Sequence, residues 1–200
     1  MALRYAILGA LTSAPSSGYD LARLFDTGLG SFWSAAHSQI YPELRRLEED
    51  GLLESAPSTV GEKLEKRVYS VTPAGLEQLK AWAGGPPKYR PIRDPERLQL
   101  IFSDLLDVPT IRRHLEAHVE HFSEMHERLA ADRESIRTGT HARVGQRLEG
   151  RSKGQQQLTL LLREFAYTGD IQRAELEIKW AKRSLTALDE YERTRGNRRR

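Results

Sequence analysis

Two glycines followed directly by two prolines, at residues 84–87, constrain the fold of this 200-residue chain more than any other feature. Glycine commonly ends helices, and proline can neither continue a helix nor donate a backbone hydrogen bond. A further proline, Pro91, favours extended backbone beyond them. We therefore predict two small domains, which the chain length allows. The predicted parts are a first domain over 1–85, a linker over 86–94, a second domain over 95–192 and a tail over 193–200.

Composition excludes several classes of protein. Hydrophobic residues make up 38% of the chain, which is enough for a packed core and excludes wholesale disorder. The chain has no cysteine, so disulfides, cysteine-bound zinc and thiol catalysis are excluded together. No apolar run approaches the roughly 18 residues of a membrane span, and the apolar stretch near the N-terminus is too short for a signal peptide. We expect a soluble, cytoplasmic protein with no membrane partner.

The common motifs of enzyme sites are also missing. The sequence contains no P-loop, G-x-G-x-x-G, G-x-S-x-G or H-E-x-x-H. His114, His118 and His121 have the i, i+4, i+7 spacing that places imidazoles on one helix face, where they could bind a metal. A polar stripe beside an apolar helix face is the interpretation we favour. We predict no catalytic residue, no metal site and no cofactor. A metal-dependent sensor or enzyme that uses these histidines stays open as a remote alternative function.

The first domain begins with three predicted helices. Apolar residues at helical spacing predict a helix within the first eleven residues, and the pair Ser17 and Asp20 is a capping signature for a second one. A third helix is predicted over 38–50. Gly51 is a typical helix stop, and Pro42 fits a helix only near its N-terminus.

Two strands and a fourth helix follow. Residues 52–55 and 67–72 have the pattern of strands, and the polar residues 56–66 between them are predicted to form a loop. A threonine followed by a proline, at 72–73, predicts the N-cap of the fourth helix. Three helices followed by a hairpin with a charged tip is the order of a winged helix-turn-helix.

The second domain is predicted to be helical. Glycines and arginines are frequent in residues 137–154, so we predict a basic, mobile connection there. The final helix, over 155–192, carries apolar residues at a period of 3.5, typical of helices that pack along a partner helix. These residues are Tyr167, Ile171, Ala174, Ile178, Ala181, Leu185 and Leu188. Trp180 on the same helix is interpreted first as part of a dimer core.

The third helix and the hairpin, or wing, carry groups suited to DNA. In a winged helix-turn-helix the N-terminal part of the third helix enters the major groove, where polar side chains hydrogen bond to base edges. The predicted base contacts are Ser38, Gln39, Tyr41 and Arg45. Cations beside that helix and on the wing neutralise phosphates. The predicted phosphate contacts are Arg46, Lys63, Lys66 and Arg67.

Several of these residues have a structural alternative. Tyr41 could support the domain instead, because a tyrosine beside a core face usually packs. Arg45 and Arg46 could pair with Glu48 and Glu49 on a solvated helix face. Two acidic residues also interleave with the cations of the wing, at 62 and 65, and weaken its field. The remaining tyrosines of this half, at 19 and 69, are predicted to pack.

The net charge of +3 comes from the tail. Residues 1–94 carry 11 basic and 11 acidic side chains, whereas five arginines lie in the last eight residues. Binding to nucleic acid would therefore depend on local placement of charge rather than on an overall basic field. The balanced first half keeps another function open, that of a winged-helix protein-interaction module without specific DNA binding.

The same residues resemble the PadR family of transcriptional regulators. The resemblance rests on Ile7-Leu8-Gly9, Gly18-Tyr19-Asp20-Leu21, Phe32-Trp33, Ser38-Gln39-Ile40-Tyr41-Pro42-Glu43-Leu44, Leu47-Glu48-Glu49-Asp50-Gly51-Leu52 and Arg67-Val68-Tyr69-Ser70-Val71-Thr72-Pro73-Ala74-Gly75. The second half is similar to the virulence-activator-alpha type of helical domain. That similarity rests on Phe165-Ala166-Tyr167-Thr168-Gly169-Asp170-Ile171 and Glu177-Ile178-Lys179-Trp180.

The resemblance implies a homodimer that binds pseudo-palindromic operator DNA, usually as a repressor. It also implies a small aromatic effector, for which Tyr167 and Trp180 are the candidate residues. The predicted fold class is mainly α, a winged helix-turn-helix domain followed by an all-helical dimerisation domain.

Overall fold

The computed structural model describes residues 2–26, 32–33, 35–60, 64–89, 91 and 93–197. Its elements are α1 (Ala2–Leu11), β1 (Ser16–Ser17), α2 (Gly18–Asp26), α3 (His37–Glu49), β2 (Leu53–Val60), β3 (Leu64–Val71), α4 (Pro73–Gly84), α5 (Pro95–Ile101), a 3-10 turn (Ser103–Leu105), α6 (Val108–Arg137), α7 (Ala142–Leu148) and α8 (Lys153–Asn197). The order helix, helix, helix, hairpin, helix, followed by helices, confirms the predicted fold class.

The chain forms two compact units. The N-terminal unit contains Met1–Pro87 together with Ser135–Thr159, and the C-terminal unit contains Lys88–Glu134 together with Leu160–Arg200. This division differs from the predicted one because 135–159 belong to the N-terminal unit, and because the C-terminal unit begins at residue 88 rather than 95. The prediction that 137–154 form a mobile connection is wrong over α7, where Val144 is 2% exposed.

The core of the N-terminal unit is built from one face of each helix. Ile40, Leu44 and Leu47 of α3 are fully buried, at the spacing of four and three that places them on one side of the helix. They pack with buried residues of α1 and α2, among them Leu8 and Leu21. This burial fixes which side of α3 faces outwards.

Gly51 ends α3 as predicted. Its φ of +68° is the left-handed conformation that glycine adopts without strain. The amide of Leu52 donates to the carbonyl of Leu47, and the amide of Gly51 donates to that of Glu48, both at 2.9 Å. These are the two hydrogen bonds of a Schellman motif, which satisfy helix carbonyls and turn the chain into β2.

The hairpin is longer than the sequence indicated. Residues 56–60 and 64–66, predicted to be loop, lie in β2 and β3, with Pro57 opposite Arg67 in an antiparallel register. The strand order is β1-β3-β2, so β2 is an edge strand of the described sheet and tolerates a proline, which lacks an amide donor. The two-residue strand β1 pairs with β3 on the side opposite β2.

α4 begins as the sequence predicts. Thr72 is the N-cap, and its hydroxyl accepts a hydrogen bond from the amide of Gly75 at 3.1 Å. Pro73 occupies the first turn, where no helical partner for an amide exists. The helix also stacks on α1 through Tyr5 and Trp82, whose ring centres are 4.7 Å apart.

In the C-terminal unit, α6 and α8 run antiparallel. Arg112 near the start of α6 forms ion pairs with Asp189 at 2.5 Å and Glu192 at 2.9 Å near the end of α8. Arg133 near the end of α6 lies 3.8 Å from Glu164 near the start of α8. The predicted apolar seam of α8 is buried at four positions and half-buried at the other three, so it packs to a large extent within this chain. The buried positions are Tyr167, Ile171, Ala174 and Ala181.

Candidate nucleic-acid interface

The outward face of α3 presents a set of polar side chains. Ser38, Gln39, Arg45 and Arg46 are exposed, since the buried face is occupied by the core residues of this helix. The carbonyl oxygen of the Gln39 side chain accepts a hydrogen bond from the amide of Ala36 at 3.3 Å. Gln39 therefore helps to fix the helix start while its side chain remains at the surface.

The two arginines of α3 differ in their partners. Arg45 makes no ion pair with any residue that the structure describes, and its guanidinium is free to bind an external group. Arg46 lies 3.7 Å from Glu43, a distance typical of a weak surface ion pair, and its side chain is 71% exposed. Neither arginine pairs with Glu48 or Glu49, which was the alternative interpretation.

Tyr41 combines the two roles that the sequence left open. Its side chain is 43% exposed, yet its ring lies against Gly18 at the start of α2. A Cβ atom added to Gly18 would stand 2.6 Å from Cε1 of Tyr41, so only glycine permits this contact. The ring thus contacts α2 while a large part of the side chain remains accessible.

Two of the three cations predicted to contact phosphate from the wing, Lys66 and Arg67, pair with acidic residues of the chain. Nζ of Lys66 lies 3.4 Å from a carboxylate oxygen of Asp20. Arg67 is 2.9 Å from Glu48 and also donates to the hydroxyl of Ser55, which itself donates to Glu48 at 2.6 Å. Lys63, the third predicted wing cation, lies outside the described residues.

Sequence reasoning missed one exposed aromatic residue at this surface. Tyr19, predicted to pack, is 66% exposed in the first turn of α2, whereas Tyr69 is buried as expected. The capping pair of Ser17 and Asp20 could have indicated this, because it places residue 19 in a first helical turn whose apolar face begins only at Leu21.

The two residues proposed for an effector do not form one site. Tyr167 and Trp180 both lie on α8 and are 13 positions apart, which is about 20 Å along a helix. Tyr167 is buried, and its burial raises the pKa of the phenol. The face of Trp180 is covered by the guanidinium of Arg97, 4.1 Å from the ring centre.

One of the three histidines in the predicted row on α6, His118, packs within the chain. Nε2 of His118 lies 3.2 Å from Glu177, and its ring packs against Phe122 and Trp180. Within the described ranges, no group of three or more potential metal ligands comes together.

An open recess of about 520 Å³ lies between α6 and α8. The residues that line it include the apolar Ile178, the cations Lys179, Lys182 and Arg183, and His126. Within the part of the chain that the structure covers, no helix is long and apolar enough to span a membrane.

Two family models match the chain. Residues 7–81 match the transcriptional regulator PadR-like family, and residues 92–189 match the virulence activator alpha C-terminal domain. The negative transcriptional regulator PadR of Bacillus subtilis is 48% identical over 80 residues, which is 40% of this chain and 44% of that protein. A probable transcriptional regulator of Mycobacterium tuberculosis is 40% identical over 86 residues, or 43% and 46% of the two chains. The match thus spans less than half the length of these relatives.

Solved structures are similar over most of the chain. The crystal structure of Bacillus subtilis PadR in complex with operator DNA has a TM-score of 0.74 at 27% identity, covering 94% of this chain and 97% of that one. The same protein in complex with p-coumaric acid has a TM-score of 0.65 at 25% identity, covering 94% and 99%. The Vibrio cholerae virulence activator AphA has a TM-score of 0.62 at 26% identity, covering 94% and 99%.

Proposed function

Because the chain belongs to the PadR-like family of transcriptional regulators, we propose that it is a sequence-specific DNA-binding regulator that acts as a homodimeric repressor. The observation that carries the proposal is the exposed polar face of α3, positioned by a buried face on the opposite side. The similarity to PadR bound to operator DNA supports it. We also propose that the protein has no enzymatic activity. As a transcriptional regulator, it would act in the cytoplasm.

The two parts of the chain would have different tasks. We assign DNA binding to the winged helix within 1–85 and dimerisation to the helical region within 95–192. Ser38, Gln39 and Arg45 would contact base edges, since they are exposed on the face of α3 opposite the core. Arg46 would contact phosphate, and Lys66 would do so after leaving Asp20.

Specific DNA binding is tested with the DNA upstream of the chain's own gene. A labelled duplex of this region and a scrambled duplex of equal composition are titrated with the protein at two salt concentrations. We expect tighter binding to the upstream duplex, steep weakening on both duplexes as salt rises, and a stoichiometry of one dimer per site. Binding that is insensitive to salt, or equal on the two duplexes, would favour the protein-interaction module instead.

We also propose that a small aromatic effector controls DNA binding. The complex of a similar protein with p-coumaric acid supports this. Within one protomer Tyr167 and Trp180 are too far apart to contact the same small molecule, so each is tested separately. A panel of aromatic acids is screened for a change in tryptophan fluorescence and in affinity for the upstream duplex, with Trp180→Phe and Tyr167→Phe as variants. No change in either signal across the panel would refute the effector proposal.

A further inference from the structure

The long helix α8 carries a second apolar stripe on the side opposite its buried seam. Leu162, Phe165 and Leu176 are 56%, 61% and 64% exposed, whereas Tyr167 and Ala174 between them are buried. With 3.6 residues per turn, Leu176 stands half a turn around the helix from Tyr167. In the C-terminal unit, α8 therefore packs along one face and presents large apolar side chains to solvent on the other.

The exposed stripe, which we call the outer seam, has the same period as the buried one. Its positions are spaced three, four, three and four residues apart, and every one of them is exposed. They are Leu162, Phe165, Gly169, Gln172 and Leu176. A period of 3.5 is the pattern of a helix that packs along another helix, because it keeps one stripe of side chains facing the partner. A second helix is therefore the shape that fits this face.

Gly169, at the centre of the outer seam, favours a helix that approaches closely. Glycine inside a helix is less stable than alanine, yet a Cβ atom at this position would meet no atom of the described chain within 4 Å. Packing among the described residues thus does not require a glycine here. A helix that approaches from outside does require one, because glycine permits the closest contact between two backbones.

The outer seam is complementary to a second copy of itself in antiparallel orientation. If a two-fold axis passes through Gly169, Leu162 lies opposite Leu176 of the partner subunit, and the reverse pair forms on the other side of the axis. The exposed cations Lys179 and Arg183, which follow the seam, disfavour the parallel orientation, since each would stand beside its own copy. The antiparallel orientation separates the two copies of Lys179 by about 30 Å along the helices.

We propose that the outer seam of α8 binds the outer seam of a second copy of this chain, antiparallel and with Gly169 at the two-fold axis. This inference rests on the homodimer proposed above and assigns the surface that forms it. The sequence indicated the other seam of α8 for this task, but the side chains of that seam pack to a large extent within the chain. The outer seam leaves the buried one intact, so two copies associate without unfolding either.

The first test compares three leucine substitutions in the full chain. Leu162→Gln and Leu176→Gln place an amide in the outer seam, and Leu105→Gln makes the same change at an 82% exposed position outside it. Sedimentation equilibrium measures the dissociation constant of the dimer. We expect each seam variant to raise this constant about thirtyfold, since both protomers change, and Leu105→Gln to leave it unchanged. Equal constants in all three variants, or dissociation by Leu105→Gln alone, would overturn the proposal.

The second test uses disulfide cross-linking, because the chain has no cysteine and an introduced one is its sole thiol. Gly169→Cys should form a disulfide-linked dimer on mild oxidation, whereas Glu190→Cys, exposed but far from the axis, should not. A disulfide needs Cα atoms within about 7 Å. Two copies of Leu162→Cys lie about 21 Å apart along antiparallel helices, as do two copies of Leu176→Cys, so neither should cross-link alone.

Co-expressed chains that carry Leu162→Cys and Leu176→Cys separately should cross-link to each other. This pair also decides the matter if Gly169→Cys holds the two helices apart. Cross-linking of either leucine variant to its own copy would show a parallel arrangement and overturn the proposal. Absence of every cross-link in a chain that sediments as a dimer would overturn it as well.

Sedimentation of the native chain separates the failure of this inference from the failure of the proposed function. A native monomer would refute the proposed homodimer, and the role of the outer seam with it. A native dimer that the seam substitutions do not dissociate would refute only the assignment of this surface. The homodimer and its binding to the upstream duplex would then stand.

Discussion

Arg45 and Arg67 carry the same charge and lie close to the same helix, but the structure predicts opposite consequences of removing them. Arg45 on α3 is exposed and has no ion-pair partner among the described residues, so Arg45→Ala removes no ion pair within the described chain and tests the proposed contact with DNA. Arg67 on β3 is held by Glu48 at 2.9 Å and by Ser55 at 2.8 Å. Arg67→Ala therefore removes contacts within the chain.

The magnitudes follow from these partners. If Arg45 contacts a base, Arg45→Ala costs about 1–3 kcal/mol at the operator and little on random DNA. If it contacts a phosphate, both duplexes lose affinity, and the slope of log K against log salt falls by about 0.9 per contact, or about 1.8 for a dimer. Arg67 is 62% exposed, so its ion pair contributes at most about 1 kcal/mol to the free energy of unfolding, and the salt slope should not change.

Fluorescence anisotropy of both labelled duplexes at several salt concentrations measures the two slopes, and urea unfolding measures the stability of each variant. The matched pair makes the outcome decisive. The reasoning is refuted if Arg45→Ala changes neither affinity nor slope. It is equally refuted if Arg67→Ala lowers the slope as much as Arg45→Ala does.

Two further predictions concern stability. Gly75→Ala would place a Cβ atom 2.1 Å from the carbonyl oxygen of Leu52 and should lower the free energy of unfolding by about 1–3 kcal/mol. Gly9→Ala, whose Cβ atom would meet no atom within 4 Å, should raise it by about 0.5–1 kcal/mol. Urea unfolding of both variants checks this prediction, and equal changes in the two variants would contradict it. Burial raises the pKa of Tyr167 above 10.0, so the folded chain keeps a proton that the unfolded chain loses. The free energy of unfolding should therefore fall by about 1.4 kcal/mol per pH unit as the pH rises past 10.0 towards the folded pKa. Tyr167→Phe should remove the contribution of this phenol to the loss of stability at high pH. The same pH dependence of unfolding in the native chain and the variant would contradict this prediction.

The elements that the sequence predicted well have local causes. The start of α4 follows from a threonine cap and a following proline, and the end of α3 follows from Gly51. The buried face of α3 follows from the spacing of its apolar residues, and this also fixed which residues of the candidate site face outwards. Each of these signals lies within about one helical turn of its effect.

The elements that the sequence did not predict depend on distant partners. Residues 56–60 are polar and contain Pro57, so only their pairing with β3 makes them a strand. α7 has few apolar residues, and its place is fixed by contacts of Arg143 and Arg147 with the first sixteen residues of the chain.

The ion pairs of the candidate site also depend on residues that are distant in sequence. The sequence identified the cations of the wing, but their pairing with acidic residues could not be predicted. Glu48 is 19 positions from Arg67, and Asp20 is 46 positions from Lys66. Such pairs form only once the hairpin is folded against α2 and α3.

Pro57 in the edge strand β2 also bears on self-association. An edge strand offers a row of amide and carbonyl groups to which a strand of another molecule can add, and this is a common first step of aggregation. Proline takes one donor out of that row, so an incoming strand meets an interrupted ladder. The residue that made this segment look like a loop thus lowers the tendency of a long hairpin to pair with copies of itself.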